Sequence, residues 1–301
     1  MTQPRSQIVD PKQAGTYHCI TRCVRRAWLC GFDNYLQQSF EHRKSWVERR
    51  IMELGDIFAC GIYAYAVMSN HLHLVIHMSP ATSNAWSAEE VAARWVKLWP
   101  ERTEVLRTRL TDLSWFMKCL SEPIARKANA EDQVNGRFWQ GRFKVQALLT
   151  EKALLTAMTY VDLNPVRANI AAGISKSHYT SAKVRNKAIL KAPEKAHEPL
   201  LPLIGTRTFN MPNITAADYI ELVDFTGREL DPGKRGRILA SEPKALTKLG
   251  LDKNHWTSRL EGMGSGYWRF VGEWQDLVEK AKELKQRTIF GIGFAKLLKM
   301  I

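Results

Sequence analysis

The stretch Val67-Met68-Ser69-Asn70-His71-Leu72-His73-Leu74-Val75-Ile76-His77 constrains the fold of this chain more than any other. Ser69-Asn70 is a turn signal between two apolar, β-prone runs, so Tyr63 to Met68 and His71 to His77 read as neighbouring antiparallel strands. Side chains alternate faces along a strand, which puts Leu72, Leu74 and Ile76 on one side and His71, His73, Val75 and His77 on the other. The first face is entirely apolar and belongs to a core. The second carries the His71 and His73 imidazoles about 7 Å apart, at ~3.4 Å rise per residue, close enough to converge on one metal ion. Spacing alone leaves a second reading open, a half-buried strand whose histidines face water or a helix.

What surrounds that strand pair is a chain of 301 residues, with room for about two domains or for one core domain with a long appendage. Its hydrophobic share of 45% and charged share of 25% are those of an ordinary globular protein. The net charge of +14 is not ordinary, and it favours a polyanionic partner, nucleic acid first. Five cysteines (Cys19, Cys23, Cys30, Cys60, Cys119) form no paired C-x-x-C framework, which suits reduced, buried thiols in a reducing compartment. No apolar h-region follows Met1, and no apolar run approaches the ~20 residues of a membrane span, so a cytoplasmic protein without membrane partners is expected.

Residues 1–15, with Pro4, Pro11 and Gly15, read as a flexible lead-in. Thr16 to Leu29 is β-prone and interrupted by Arg22, Arg25 and Arg26, either a phosphate-facing strand or an edge strand blunted by arginines. Ser39 to Asp56 has helical periodicity, with Phe40, Val47, Ile51 and Leu54 on one stripe and Gly55 suiting its end. Residues 79–108 read as an insertion whose Glu89–Trp99 helix bears Trp95 and Trp99, able to stack on bases or to pack. Leu113 to Ala130 predicts a second helix, kinked or split near Glu122 by Pro123.

Asn135-Gly136 then turns the chain into Arg137 to Val145, read as a strand in which Arg137, Trp139, Arg142 and Lys144 interleave charge with aromatic surface, as a single-stranded polynucleotide requires. Thr150 is a plausible N-cap for a helix through Val161 that Pro165 ends or bends. At spacing i, i+4, Tyr160 and Asn164 share a face of that helix. The order strand, helix, strand, strand, helix, strand, helix gives an α+β fold of the ferredoxin-like, split βαβ kind with an antiparallel sheet, the last helix lying near His71 and His73. Residues 186–212 read as a basic, Pro-containing linker, and 213–301 as a helical C-terminal region: Ala216 to Phe225 closed by Gly227, Ala245 to Leu249, and Trp268 to Phe294 broken by glycines.

Three motifs together carry a family resemblance: His71-Leu72-His73 within Ala-Val-Met-Ser-Asn-His-Leu-His-Leu-Val, Gly136-Arg-Phe-Trp-Gln-Gly-Arg-Phe, and Tyr160-Val-Asp-Leu-Asn-Pro-Val-Arg-Ala. Over residues 16–185 the chain resembles the REP-associated tyrosine transposases, single-tyrosine HUH transposases related to insertion-sequence enzymes that act on single-stranded DNA. The resemblance implies that His71, His73 and Asn164 hold a divalent ion, Mg²⁺ or Mn²⁺, and that Tyr160 is the nucleophile. Related insertion-sequence enzymes often carry Gln where this chain has Asn164; the 79–108 insertion and extra C-terminal part set it apart from the family's shorter members, while the long C-terminal region resembles that of the larger ones.

The implied reaction is a transesterification leaving a 5′-phosphotyrosine, on a short palindrome folded as a hairpin with a single-stranded foot. Contacts to that DNA are expected from Arg22, Arg25, Arg26, Arg137, Trp139, Arg142 and Lys144, with Arg167 near the nucleophile, in a monomer or homodimer. Two imidazoles and a carbonyl suit Mn²⁺ better than Mg²⁺. The chain has no Gly-x-x-x-x-Gly-Lys-Ser/Thr loop, as suits a reaction that stores bond energy in a covalent intermediate. His77 shares the histidine face but stands outside the motif, as a structural residue. The competing readings are a nucleic-acid-binding regulator that keeps the fold without catalysis, and a replication initiator or relaxase, which presents such motifs in another order.

Overall fold

The computed structural model of the chain describes residues 5–24, 29–33, 37–98, 106–206, 214–229, 242–265 and 269–300. Its centre is a sheet of four strands, β1 (Gly15–Arg22), β2 (Cys60–Val67), β3 (His71–Met78) and β4 (Lys144–Leu148), in the antiparallel order β2-β3-β1-β4. With α1 (Arg43–Ile57) between β1 and β2, and α2 (Leu113–Glu131) between β3 and β4, this is the ferredoxin-like arrangement that the order of elements predicts. A two-residue edge strand extends each side: β5 (Ile204–Gly205) pairs antiparallel with β2, and β6 (Phe270–Val271) pairs parallel with β4. The fold is therefore mixed α+β around a six-stranded, mostly antiparallel sheet.

Both faces of the sheet are buried. Leu72, Leu74 and Ile76 meet Val47, Ile51 and Leu54 of α1 and Phe116 and Leu120 of α2. Each such fully buried aliphatic side chain contributes about 1.5–3 kcal/mol relative to exposure. The opposite face, with Ala64, Ala66, Val75 and Leu148, is covered by α3 (Glu151–Asp162) and, beyond it, by α4 (Ser181–Lys191), α5 (Ala216–Glu229) and α6 (Lys253–Ser265). The histidine strand thus lies under helices, not at a solvated face. The chain continues into α7 (Trp274–Glu283) and α8 (Ile292–Met300).

Local chemistry sets several of these boundaries. The Asp112 side chain accepts from the backbone N–H of Ser114 and Trp115 to open α2, and Thr150 accepts from Ala153 to open α3 as predicted. The α2 helix runs through Pro123 without splitting. Proline cannot donate to the carbonyl four residues back, and here Arg50 Nε donates to that Cys119 oxygen instead at 3.1 Å, so the bond lost to Pro123 is replaced from α1. All five cysteines are buried and none forms a disulfide.

Four sequence readings are corrected. The first strand stops at Arg22, and Arg25 and Arg26 lie outside the described residues. The interleaved strand begins only at Lys144; residues 137–143 follow the end of β1 irregularly, through a single bridge between Trp139 and Cys23 and the bonds Gln140 N–H to Arg22 O and Val24 N–H to Phe138 O. Residue 186 falls inside α4, and the stretch read as a linker contains β5. Gly227 does not close its helix but sits within α5, where a Cβ would come 3.1 Å from Leu163; its smallness lets α5 approach the end of α3.

In the 79–108 region, Pro80–Asn84, Ala88–Val96 and Leu106–Arg109 form short helices, and Trp99 lies outside the described residues. Trp95 is buried, edge-on to Trp115 at 5.7 Å, so it packs and does not offer a base platform. No described helix is long and apolar enough to cross a membrane.

Candidate active site

Residues opposite one another in a ladder share a face. The β1–β3 register pairs Arg22 with His71, Ile20 with His73, His18 with Val75 and Thr16 with His77; β4 adds Lys144 opposite Ile20 and Gln146 opposite His18. One face of the sheet thus gathers Arg22, Lys144, His71, His73, His18, Gln146 and His77. Over it lies α3, with the Tyr160 ring edge-on to both His73, 5.9 Å between centroids, and His18, 6.1 Å. The His71 and His73 rings are 4.8 Å apart.

A connected set of hydrogen bonds runs under the tyrosine. Gln146 Oε1 is 2.7 Å from His18 Nδ1, and His18 Nε2 is 2.9 Å from His73 Nδ1, with the two rings stacked. His71 Nδ1 is 2.7 Å from Asn70 Oδ1. Neither Nε2, of His71 or of His73, has a hydrogen-bond partner among the described residues. His77 is buried apart from this set, 2.9 Å from Thr16 Oγ1.

Electrostatics keep these rings neutral. Burial lowers the His18 and His71 pKa to about 4, the latter helped by Arg22, and burial followed by His18, His71 and Arg167 lowers that of His73 well below the usual histidine value. A neutral imidazole is the form that ligates metal.

Tyr160 and Asn164 do not share one continuous helix, as their spacing predicts. The α3 helix ends at Asp162, Leu163 is its C-cap, and Asn164–Arg167 is a short separate turn of helix. The cause is Pro165, which has no N–H for Val161 O; the Asn164 amide fills in, donating to Tyr160 O at 2.9 Å and to Val161 O at 3.4 Å. The Asn164 amide N–H is thereby committed to the end of α3. Arg167, exposed, places its guanidinium carbon 4.6 Å from the Tyr160 ring centroid.

Of the remaining expected DNA contacts, Arg22, Arg137, Arg142 and Lys144 are exposed at the same end of β1, and Trp139 is half-buried with its indole N–H donated to Ser121 O. Sequence reasoning missed His18 and Gln146. Strand alternation places His18 on the same side as Arg22, four residues on, but nothing in the sequence ties that side to His73. It also missed the buried Asp162, which accepts from Ser181 Oγ at 2.6 Å, from Tyr219 Oη at 2.5 Å and from the Ala182 N–H at 2.9 Å, and so pins the end of α3 to α4 and α5.

A cavity of about 600 Å³ between the Asn164–Arg167 turn, α4 and α5 lies apart from this chemistry. Its polar lining includes Glu221 and Asp224, which repel phosphate, and no histidine.

Among the described residues, no group of three His, Cys, Asp or Glu is placed to hold a metal ion. Of the expected ligands, His71 and His73 stand side by side, their rings 4.8 Å apart, and the Asn164 amide is bonded back to the end of α3. Two imidazoles and an amide oxygen are donors that a divalent ion accepts, and being neutral they would leave its charge for a phosphate.

A solved structure described as a REP-associated tyrosine transposase bound to a REP hairpin is similar to this chain, with a TM-score of 0.41 and 13% identity, over 72% of this chain and 96% of that one. No family model matches the chain, and no curated protein matches it. The strand order β2-β3-β1-β4, not that likeness, carries the fold assignment.

Proposed function

We propose that the protein is a strand-transferring endonuclease of single-stranded DNA, in the manner of the single-tyrosine transposases that its motifs resemble, with a hairpin-forming palindrome as substrate. The observation that carries the reading is the meeting, within one chain, of the Tyr160 phenol with the His73 ring beneath it, 5.9 Å between centroids. In this reading Tyr160 Oη attacks the scissile phosphorus, the bond to the 3′ oxygen breaks, and a 5′-phosphotyrosine forms. The phenol gives up its proton and the departing 3′ oxygen takes one up. The reverse attack by a 3′-hydroxyl rejoins the strand without ATP.

Tyrosine is a weak nucleophile near neutral pH, and help comes from two sides. Arg167, over the Tyr160 ring, offers positive charge to the phenolate and the phosphate. His71 Nε2, His73 Nε2 and Asn164 Oδ1 would hold Mn²⁺ or Mg²⁺, which supplies charge to the phosphate oxygens and the leaving group. Arg22, Lys144, Arg137 and Arg142 neutralise the flanking backbone, and Trp139, fixed on α2, is a spacer more than a base platform.

The test is incubation of a 5′- or 3′-labelled hairpin oligonucleotide carrying a single-stranded foot with the full chain and Mn²⁺. Cleavage with a protein-linked product by the unsubstituted protein, abolished in Tyr160→Phe, is expected. Binding of the hairpin with no cleavage by either protein, under Mn²⁺ or Mg²⁺, gives the non-catalytic regulator instead.

A further inference from the structure

Gln146 Oε1, His18 and His73 form a chain of three groups in which donors and acceptors alternate in one way. The carbonyl oxygen of Gln146 can only accept, so the His18 nitrogen facing it at 2.7 Å, Nδ1, carries the ring hydrogen. A neutral imidazole protonated at Nδ1 has its lone pair at Nε2. That lone pair faces His73 Nδ1 at 2.9 Å, so His73 Nδ1 is the donor and the His73 lone pair is left on Nε2.

All three side chains are buried, with His18 1%, Gln146 3% and His73 4% exposed, so water cannot reorganise the sequence of donors. The backbone holds it too: His18 and Gln146 are directly paired across β1 and β4, and His73 is the diagonal neighbour of His18 across β1 and β3.

We propose that Gln146 and His18 are positioning residues for the strand-transfer site, a two-member relay that fixes the tautomer and ring orientation of His73 and presents its Nε2 lone pair to the divalent cation. The inference rests on the cation site proposed above, but its central element, the tautomer, exists without metal. His71 reaches the same state by a shorter route, through Asn70 Oδ1 on its own turn. The two imidazoles therefore differ in how firmly they are held: His73 by two strands and a buried amide, His71 by one half-exposed neighbour. Partners of this kind commonly contribute about 10–100-fold to metal affinity.

The experiment has two parts, both on the full chain. Long-range ¹H–¹⁵N spectra of the metal-free protein read the histidine tautomers directly; His18 and His73 are expected with hydrogen on Nδ1. Calorimetric titration with Mn²⁺ then compares the unsubstituted protein with Gln146→Met, which keeps the side-chain volume and loses the acceptor, and Gln146→Glu, which restores an acceptor. Gln146→Met is expected to bind Mn²⁺ about 10–100-fold more weakly and to lose the single tautomer, and Gln146→Glu to recover both.

A purely structural role for Gln146 would leave both readouts unchanged in any variant that folds. Hydrogen on Nε2 of His73 in the unsubstituted protein, or undiminished Mn²⁺ affinity in Gln146→Met, overturns the relay. The expected tautomers in a protein that takes up no Mn²⁺ overturn the cation site of the proposed function and leave the hydrogen-bond relay standing.

Discussion

Removing the hydroxyl of Tyr219 tests how the tyrosine helix is held. Asp162, two residues beyond Tyr160, is buried with its carboxylate shared among Ser181 Oγ, the Ala182 N–H and Tyr219 Oη, the last at 2.5 Å. Burial raises the Asp162 pKa, and these three donors together with buried Arg185 oppose that rise by favouring the charged form. Arg185 is itself anchored, donating to Tyr63 O of β2 at 2.9 Å.

Tyr219→Phe deletes one donor to a charged, buried acceptor and leaves the ring in place, so the cost is that of one charge-assisted bond, about 1.5–3 kcal/mol. For a chain of 301 residues that corresponds to a drop of about 2–5 °C in unfolding midpoint. Urea unfolding of the full chain followed by circular dichroism measures it, with an unchanged m-value expected because no extra surface is exposed. Ser181→Ala is expected to cost a similar amount, and the double variant less or more than the sum by about 0.5–3 kcal/mol, since the two donors share one carboxylate. A loss below about 0.5 kcal/mol in Tyr219→Phe refutes the idea that Asp162 ties α3 to α4 and α5.

Acid sensitivity follows from the buried histidines. Burial lowers the His77 pKa to about 4 from an unfolded value near 6.5, so its contribution is fully present above about pH 6.5 and is lost as pH falls towards 4. His77→Gln is therefore expected to flatten the pH dependence of stability by about 1.4 kcal/mol per pH unit across that window, and an identical slope in the variant contradicts it. Hairpin affinity is expected to fall steeply with salt, and Arg22→Ala and Lys144→Ala each to reduce the slope of log K against log salt by about 0.7 for a single-strand contact. Filter binding over a salt series decides this, and a slope near zero removes the basic face around β1 as the DNA site.

The sheet was legible because its strands are punctuated and periodic: Ser69-Asn70 fixed the turn, and Leu72, Leu74 and Ile76 fixed the face that meets α1 and α2. The capping residue Thr150 gave the start of α3 for the same local reason. What failed was set by distant parts of the chain. Pro123 does not break α2 because Arg50, 73 residues earlier, supplies the missing donor. Ile204–Gly205 carries no strand signal of its own and becomes β5 because the edge of β2 needs a partner. In the site, the His-x-His pair on one face of its strand was readable; the helix expected to carry Tyr160 and Asn164 together ends between them, and His18 and Gln146 join only through the β1–β3 and β1–β4 registers, which no local pattern specifies.

The most direct measurement is the chemical identity of the nucleotide acceptor. After incubation with hairpin DNA and Mn²⁺, nuclease trimming and proteolysis, mass spectrometry of the full chain is expected to find a 5′-nucleotide phosphate on the phenolic oxygen of Tyr160, whose ring meets His73 and His18 edge-on. A nucleotide attached to any other residue, or cleaved DNA with no covalent intermediate at all, contradicts the claim that Tyr160 and the paired imidazoles form one catalytic site.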